Sequence, residues 1–285
     1  TANGEGDLAA LFWLNGYELL EVSAPYLPSE RPVYYLHHQG SDGKVARYRS
    51  IETMASYYID TILHIEPEGP YCIGGYSVGA NLAYEIAQQL KALGKTVDVL
   101  LLLSPAGHPQ KLKEIFLEYH QNLCSTENLL RRTLYMARKH LGRYGRMGTN
   151  KVRRLRDRIR CYRYFLMRKN LPSRLIWTHV QPIYALAIKH YEVSDYLGDT
   201  IIAHESTNSV EEWRERIGGR CHVVPAVPIN HLELLSAEYS HLWIEEFLAP
   251  LGVGGWEHEE GKQEEQSSVA KSDAGQIMKE GVAAR

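Results

Sequence analysis

The run Gly75-Tyr76-Ser77-Val78-Gly79 sets a serine between two glycines at the spacing G-x-S-x-G. A serine hydroxyl becomes a useful nucleophile where the backbone pushes it clear of its neighbours and a base takes its proton. The spacing meets the first need. It fits a tight strand-to-helix turn, where bulky side chains two residues before or after the serine would collide with the adjoining strand and helix. Such a turn also aims the Val78 amide, at the start of the following helix, at the place where a tetrahedral oxyanion forms. Glycine and serine are common, so the pattern gains its weight from context. An apolar run from Tyr71 to Gly75 precedes it, and a helical pattern from Asn81 to Leu93 follows.

The base is expected at His231, in Pro228-Ile229-Asn230-His231-Leu232, after the run Cys221 to Val227 and before the last helical pattern. His37, His38, His204 and His222 lie within or at the ends of strands and read as structural, and His108, in a loop after a strand, is a weaker competitor. A second oxyanion amide is expected from the loop at Asn15 to Tyr17, where Gly16 would let the backbone approach a substrate closely. The alternative for that loop is an ordinary turn.

The elements that must position these residues alternate. Ala10 to Leu14 and Pro32 to His37 read as strands. Ser50 reads as the N-cap of a helix with Ile51, Met54, Ala55, Tyr58, Ile59, Ile62 and Leu63 on one stripe, ended by Pro67-Glu68-Gly69-Pro70. Val97 to Leu103 is almost wholly apolar, as strands buried on both faces of a parallel sheet are. Strand and helix in alternation predict an α/β fold with a doubly wound, mostly parallel sheet, whose ligands bind beyond the carboxyl ends of the strands. Residues 1–109 read as the first part of this core. Residues 110–190 show helical patterns and no convincing strand, and read as a lid inserted over that edge. Strands resume at Thr200 to Ala203 and Cys221 to Val227, and a helix from Ser240 to Leu248 completes a second core part, 191–251. Residues 252–285 turn to Gly, Glu, Gln, Lys and Ser and read as a disordered tail.

Composition excludes several classes. With 44% hydrophobic and 23% charged residues the chain reads as a soluble globular enzyme, and a net charge of -2 gives no overall attraction for nucleic acid. No apolar run reaches the length of a membrane span, and no signal peptide is visible. A first residue of Thr suggests a processed chain or an excised domain. Cys72, Cys124, Cys161 and Cys221 are scattered without metal-like pairing, as expected of reduced thiols in a cytoplasmic protein. No cofactor and no metal is expected.

Ile65-Glu66-Pro67-Glu68-Gly69-Pro70-Tyr71, Gly74 to Ala80 and Leu82-Ala83-Tyr84-Glu85-Ile86-Ala87 together resemble the type I thioesterase domains that end nonribosomal peptide and polyketide synthases. Arg31-Pro32-Val33-Tyr34 and Ser50 to Ala55 fit the same family. The resemblance covers roughly residues 10 to 106 and, thinly, 200 to 250. It implies the α/β-hydrolase fold and release of an acyl, peptidyl or polyketide chain from a phosphopantetheine carrier protein through a Ser77 acyl-enzyme, by hydrolysis or cyclisation.

The resemblance also exposes a departure. In that family the triad aspartate usually follows the strand after the nucleophile helix. The matching position here is Ser104, and Asp98 lies inside the strand. In many other α/β-hydrolases the acid follows the next strand, where this chain has Glu205. Three readings stand open: Glu205 holds His231, Ser104 orients it with a neutral hydrogen bond, or the chain is a weak or inactive acyl-binding domain. Losing a triad acid costs on the order of 10⁴-fold in proteases. A thioester is more forgiving, because a thiol of pKa about 8.5 leaves with little protonation. A stand-alone carboxylesterase or lipase is the further enzymatic alternative.

Between Arg131 and Lys169 stand fifteen Lys or Arg and one acidic residue, Asp157, with Arg153, Arg154, Arg156, Arg158 and Arg160 closely spaced. Tyr135, Tyr144, Tyr162, Tyr164 and Phe165 are interleaved. Either this is a solvated helix face with arginine stems over apolar surface, or it docks an acidic partner. Carrier proteins in these synthases tend to be acidic, so the resemblance suggests one. Nucleic acid is the weaker alternative, since no nucleic-acid motif accompanies the basic residues.

Overall fold

Short apolar runs separated by helical crossovers suit parallel pairing, and that is the sheet observed. The computed structural model describes residues 8–16, 22–106, 156–205, 210–227, 231 and 233–252. Among them six strands form one parallel sheet: β1 (Leu11–Leu14), β2 (Val33–Leu36), β3 (Tyr71–Tyr76), β4 (Val97–Leu103), β5 (Thr200–Ala203) and β6 (Cys221–Val223), in the order β2-β1-β3-β4-β5-β6. The strand order reverses at β1, which pairs with β2 on one side and β3 on the other. That switch point opens a crevice at the carboxyl edge, where such sheets bind ligands. Leu14 pairs with Gly75 there, so Asn15 emerges beside Tyr76, one residue before Ser77.

Each strand alternates between two apolar layers. Phe12, Leu14, Leu100 and Leu102 face one layer, closed by α1 (Ile51–Ile65), α2 (Val78–Ala92) and α3 (Ser173–His190). Leu11, Trp13, Leu101 and Leu103 face the other, closed by Trp243, Ile244, Phe247 and Leu248. The expected stripe of α1 is buried at Ile51, Met54, Ala55, Tyr58, Ile59 and Ile62, and Ser50 caps it, its side chain accepting from the Thr53 amide. Two polar side chains are buried as ties. Arg31 donates from Nε to the Leu251 carbonyl at 3.1 Å and from a terminal nitrogen to the Ala9 carbonyl. Glu85 accepts from the Tyr191 hydroxyl at 2.8 Å, fastening α2 to the residue after α3.

Boundaries differ from the sequence reading for local reasons. The helix expected from Asn81 begins at Val78, because Ser77 itself is the residue preceding the first helical turn. The strand expected to reach Val227 stops at Val223, since Pro225 has no amide to continue the ladder. Val227 rejoins the sheet edge as an isolated bridge to Glu205. The last helix divides at Trp243 into a 3₁₀ turn, Ser240–Leu242, and α5 (Ile244–Leu248), after the short α4 (Glu211–Arg214). Of the expected lid, residues 156–166 and α3 are helical. Its residues 110–155, with Arg153 and Arg154, lie outside the described residues, as do His108, Cys124 and the expected tail from 253 onward. The three described cysteines, Cys72, Cys161 and Cys221, are free.

The glycine two residues after the serine is required chiefly by the backbone of Leu14. A Cβ on Gly79 would stand 2.2 Å from the Leu14 carbonyl oxygen, whereas one on Gly94 would meet nothing within 4 Å and would suffer only from the φ of +74°. Gly79→Ala is therefore expected to lower stability by about 1–3 kcal/mol through overpacking, and Gly94→Ala by about 1 kcal/mol through backbone strain. Urea unfolding of the two variants checks the order; an equal or smaller loss for Gly79→Ala would contradict the close approach of β1 and α2.

Candidate active site

Ser77 follows β3 directly and has φ 56° and ψ -122°. An L-residue at such angles costs on the order of 1–3 kcal/mol, an expense met at functional turns. The flanking glycines make the turn possible. A Cβ on Gly75 would lie 2.3 Å from the Gly79 carbonyl oxygen. Ser77 donates its amide to the Leu103 carbonyl at 2.9 Å, which binds the turn to the end of β4.

The next two strand tips carry the other groups. Ser104, one residue past β4, is fully buried with φ 46°, and its amide donates to the Ala203 carbonyl at 2.7 Å. Asn81, on α2, grips the residues after Ser104 by bonding both the amide and the carbonyl of Ala106. Glu205, two residues past β5, is 5% exposed. The bridge from Glu205 to Val227 leads the chain back over the edge to His231.

These three side chains meet. Ser104 Oγ lies 2.5 Å from Glu205 Oε2 and 2.8 Å from His231 Nδ1, and Glu205 Oε1 lies 3.2 Å from the same nitrogen. Burial pushes the Glu205 carboxyl up, but hydrogen bonds from His231 and Ser104 outweigh it and hold the pKa at about 2. An ionised carboxylate only accepts, so the Ser104 hydroxyl must donate to it. The Ser104 oxygen then accepts from His231 Nδ1–H, which leaves Nε2 with the lone pair of a base. The two residues that the sequence offered as alternatives, Glu205 and Ser104, thus stand on the same imidazole nitrogen together.

Tyr76, which the sequence reading passed over as the variable residue before the serine, holds the same histidine from another side. Its hydroxyl donates to the His231 carbonyl at 2.6 Å, and its ring stacks on the imidazole with centroids 4.8 Å apart. Period-two alternation could have found it, since Cys72 and Tyr76 share the sheet face that the C-terminal segment covers.

The loop after β1 lies against the start of α2. Asn15 and Gly16 have φ of 61° and 70°, and Asn15 Nδ2 donates to the Tyr76 carbonyl at 3.1 Å. A Cβ on Gly16 would press on Tyr76 and Leu235 at 3.0–3.1 Å. Asn15, Val78 and Gly79 border a small pocket with Leu14, His38 and Trp177. Among the described residues no group of three or more His, Cys, Asp or Glu is placed to hold a metal ion, and no helix is long and apolar enough to cross a membrane.

A family model described as thioesterase domain matches residues 23–242. The polyketide synthase PksR of Bacillus subtilis (strain 168) is 39% identical over 97 residues, which cover 33% of this chain and 4% of that protein. The chain thus matches only a small fraction of that curated relative's length. Among solved structures, a covalent complex of the NocB thioesterase domain with a fluorophosphonate nocardicin G analog superposes with a TM-score of 0.55 at 20% identity, covering 88% of this chain and 96% of that one. A four-domain nonribosomal peptide synthetase superposes with a TM-score of 0.55 at 16% identity, covering 86% of this chain and 19% of that one. Likenesses at these identities establish the fold, which is the expected α/β-hydrolase fold.

The depressed carboxyl of Glu205 makes stability depend on pH. Its folded pKa, about 2, lies below the ordinary carboxylate value. Its ionised form therefore stabilises the fold above that ordinary value, and the contribution fades as pH falls toward about 2. Wild type should exceed Glu205→Gln in urea midpoint by a constant margin above about pH 5, and the margin should shrink on acidification. A margin independent of pH would contradict an ionised, hydrogen-bonded Glu205.

Proposed function

Because the chain belongs to the thioesterase domain family, we propose that it transfers an acyl group from a carrier-bound thioester through Ser77. The observation that carries this reading is the line from Glu205 through Ser104 to His231, with Ser104 and Ser77 on adjacent strand tips. In the proposed first step His231 Nε2 takes the Ser77 proton while Oγ bonds to the thioester carbonyl carbon. The Val78 amide and an amide at Asn15 or Gly16 stabilise the oxyanion. The carbon–sulfur bond then breaks, the imidazolium proton goes to the sulfur, and thiol leaves. Water, or a hydroxyl or amine of the same chain, repeats the attack with His231 as base and frees Ser77.

The missing aspartate does not weaken this reading as it would in a lone Ser104 arrangement, since Glu205 supplies the charge that stabilises the imidazolium. Tyr76 acts in it as a positioning residue. The relatives are parts of long synthases, which supports a carrier protein with a phosphopantetheine arm as the partner. For the docking surface, Asp157 pairs with Arg156 and Arg160, at 3.5 and 3.2 Å. Among the described residues no carboxylate pairs with Arg158 or Arg163, and both are exposed. We assign these two to the docking of an acidic carrier.

Thiol release from a carrier-bound acyl thioester should fall by at least about 10³-fold in Ser77→Ala. Wild type should turn over that thioester faster than a soluble oxygen ester of the same acid. Preference for the oxygen ester would favour the esterase alternative, and no release at all would favour an acyl-binding domain. Tyr76→Phe should lower kcat about fivefold to tenfold with little change in KM; an unchanged kcat would remove Tyr76 from the account. Arg158→Glu with Arg163→Glu should raise KM for the carrier-bound substrate but not for a small thioester, and equal effects on both would contradict docking there.

A further inference from the structure

The pocket that touches Val78 and Gly79 has a free volume of only about 10 Å³, room for about one water. An acyl group attached at Ser77 needs more space than that. A cavity of about 690 Å³ lies next to it, and Leu36, His38 and Tyr58 line both. His38 stands between the two, its ring edge-on to Trp177 with centroids 6.2 Å apart.

The larger cavity is built, not a gap between loosely placed segments. The loop after β2 forms one wall and is clamped internally by Gln39, whose side chain bonds both the carbonyl and the amide of Tyr48 at 2.8 and 3.0 Å. The turn at 168–171 forms another. The two walls are stitched by the Leu171 amide donating to the Gly43 carbonyl at 2.8 Å. Gly43 has φ +77°, and a Cβ there would stand 2.5 Å from the Leu171 carbonyl oxygen, so the approach of the two backbones depends on glycine. The Ala46 amide adds a bond to His179 Nε2 at 3.1 Å.

Its lining joins aromatic faces to positive charge. Tyr48 and Tyr57 stack with centroids 5.0 Å apart, and Tyr57 is 43% exposed. Among the described residues Lys44, Arg47, Arg168 and Lys169 line the cavity with one carboxylate, Asp42. Asp42 is already taken by Lys44 at 2.9 Å. Among the described residues no carboxylate pairs with Arg47, Arg168 or Lys169. These three exposed cations, without a carboxylate partner among the described residues, gather round one space and attract a ligand of opposite sign.

We propose that this cavity receives the acyl portion of the thioester substrate and selects acyl groups that carry an acidic substituent. The inference rests on the Ser77 acyl-transfer reading and adds the substrate class to it. A phosphate on the pantetheine arm would also answer to the cations. The acyl group fits better, because the volume is that of a whole small-molecule site, and a phosphate has no use for the tyrosine wall.

The test separates binding from turnover. Ser77→Ala protein is titrated by calorimetry with two N-acetylcysteamine thioesters of one long aromatic dicarboxylic acid, the distal carboxyl free in one and methylated in the other. The free acid is expected to bind about tenfold more tightly. That advantage should fall to about twofold or less when Arg47→Gln and Lys169→Gln are added, and should decline with salt. Equal binding of the two thioesters overturns the proposal, as does an advantage that survives both substitutions. A third comparison sets a neutral acyl pantetheine against its phosphopantetheine counterpart. A preference confined to the phosphate gives the cavity to the arm and likewise overturns the acyl assignment. Failure of wild type to release thiol would sink the acyl-transfer reading, whereas the titration judges the cavity alone.

Discussion

A carboxylate that is 5% exposed must be given donors, and the whole candidate site is arranged round that requirement. Glu205 receives two. One comes from Ser104, which has a single proton to give and a 2.5 Å contact in which to give it. Once that proton points at the carboxylate, the Ser104 oxygen can only accept from His231. The imidazole is thereby committed to Nδ1–H, and the open nitrogen is the one a base needs. A neutral serine thus passes on the orientation that a carboxylate would impose directly. Removing the carboxylate would leave the Ser104 proton free to turn toward the imidazole, and the tautomer would no longer be determined.

The fold supplies this geometry at small cost because the participants sit on successive strand tips. Tyr76 pairs with Leu103, and Leu103 with Ala203, so the residues just beyond these pairs are neighbours before any side chain is considered. Ser77 and Ser104 occupy the first of those places, and Glu205 stands one residue further, two beyond Ala203. The Glu205 carboxylate is one strand further from Ser77 than the family pattern puts its aspartate, and Ser104 fills the intervening position. Val227 and Tyr76 bring His231 to the other end of the line, the first through its bridge to Glu205 and the second through stacking and a hydrogen bond.

Much of this was legible in the residues. The glycine spacing around Ser77, set between an apolar run and a helical pattern, implies a strand-to-helix turn, and the apolar run Val97 to Leu103 implies a strand buried on both faces. Both follow from local sterics and periodicity. The partner of His231 was not legible to the same degree. Ser104 and Glu205 are 101 residues apart, and no spacing rule says that both side chains reach one nitrogen. They therefore stood as rivals, although both side chains reach the same nitrogen. Tyr76 was hidden for another reason, since the motif treats its position as free. The break at Trp243 and the early end of β6 reflect packing and a proline against a short edge strand, which propensity resolves poorly. The cavity beyond His38 is formed by segments more than a hundred residues apart, and only the assembled chain reveals it.

The proton of His231 is the feature on which the hydrogen-bonded line depends. Nitrogen-15 NMR of histidine-labelled protein, with the His231 signals identified by their loss in His231→Ala, reads which ring nitrogen carries the proton in the neutral form. The hydrogen-bonded line predicts protonated Nδ1 and bare Nε2 in wild type, with that preference lost in Glu205→Gln. A neutral His231 protonated at Nε2 in wild type would contradict it, because Ser104 would then be donating to the imidazole and Glu205 would be left without its proposed role.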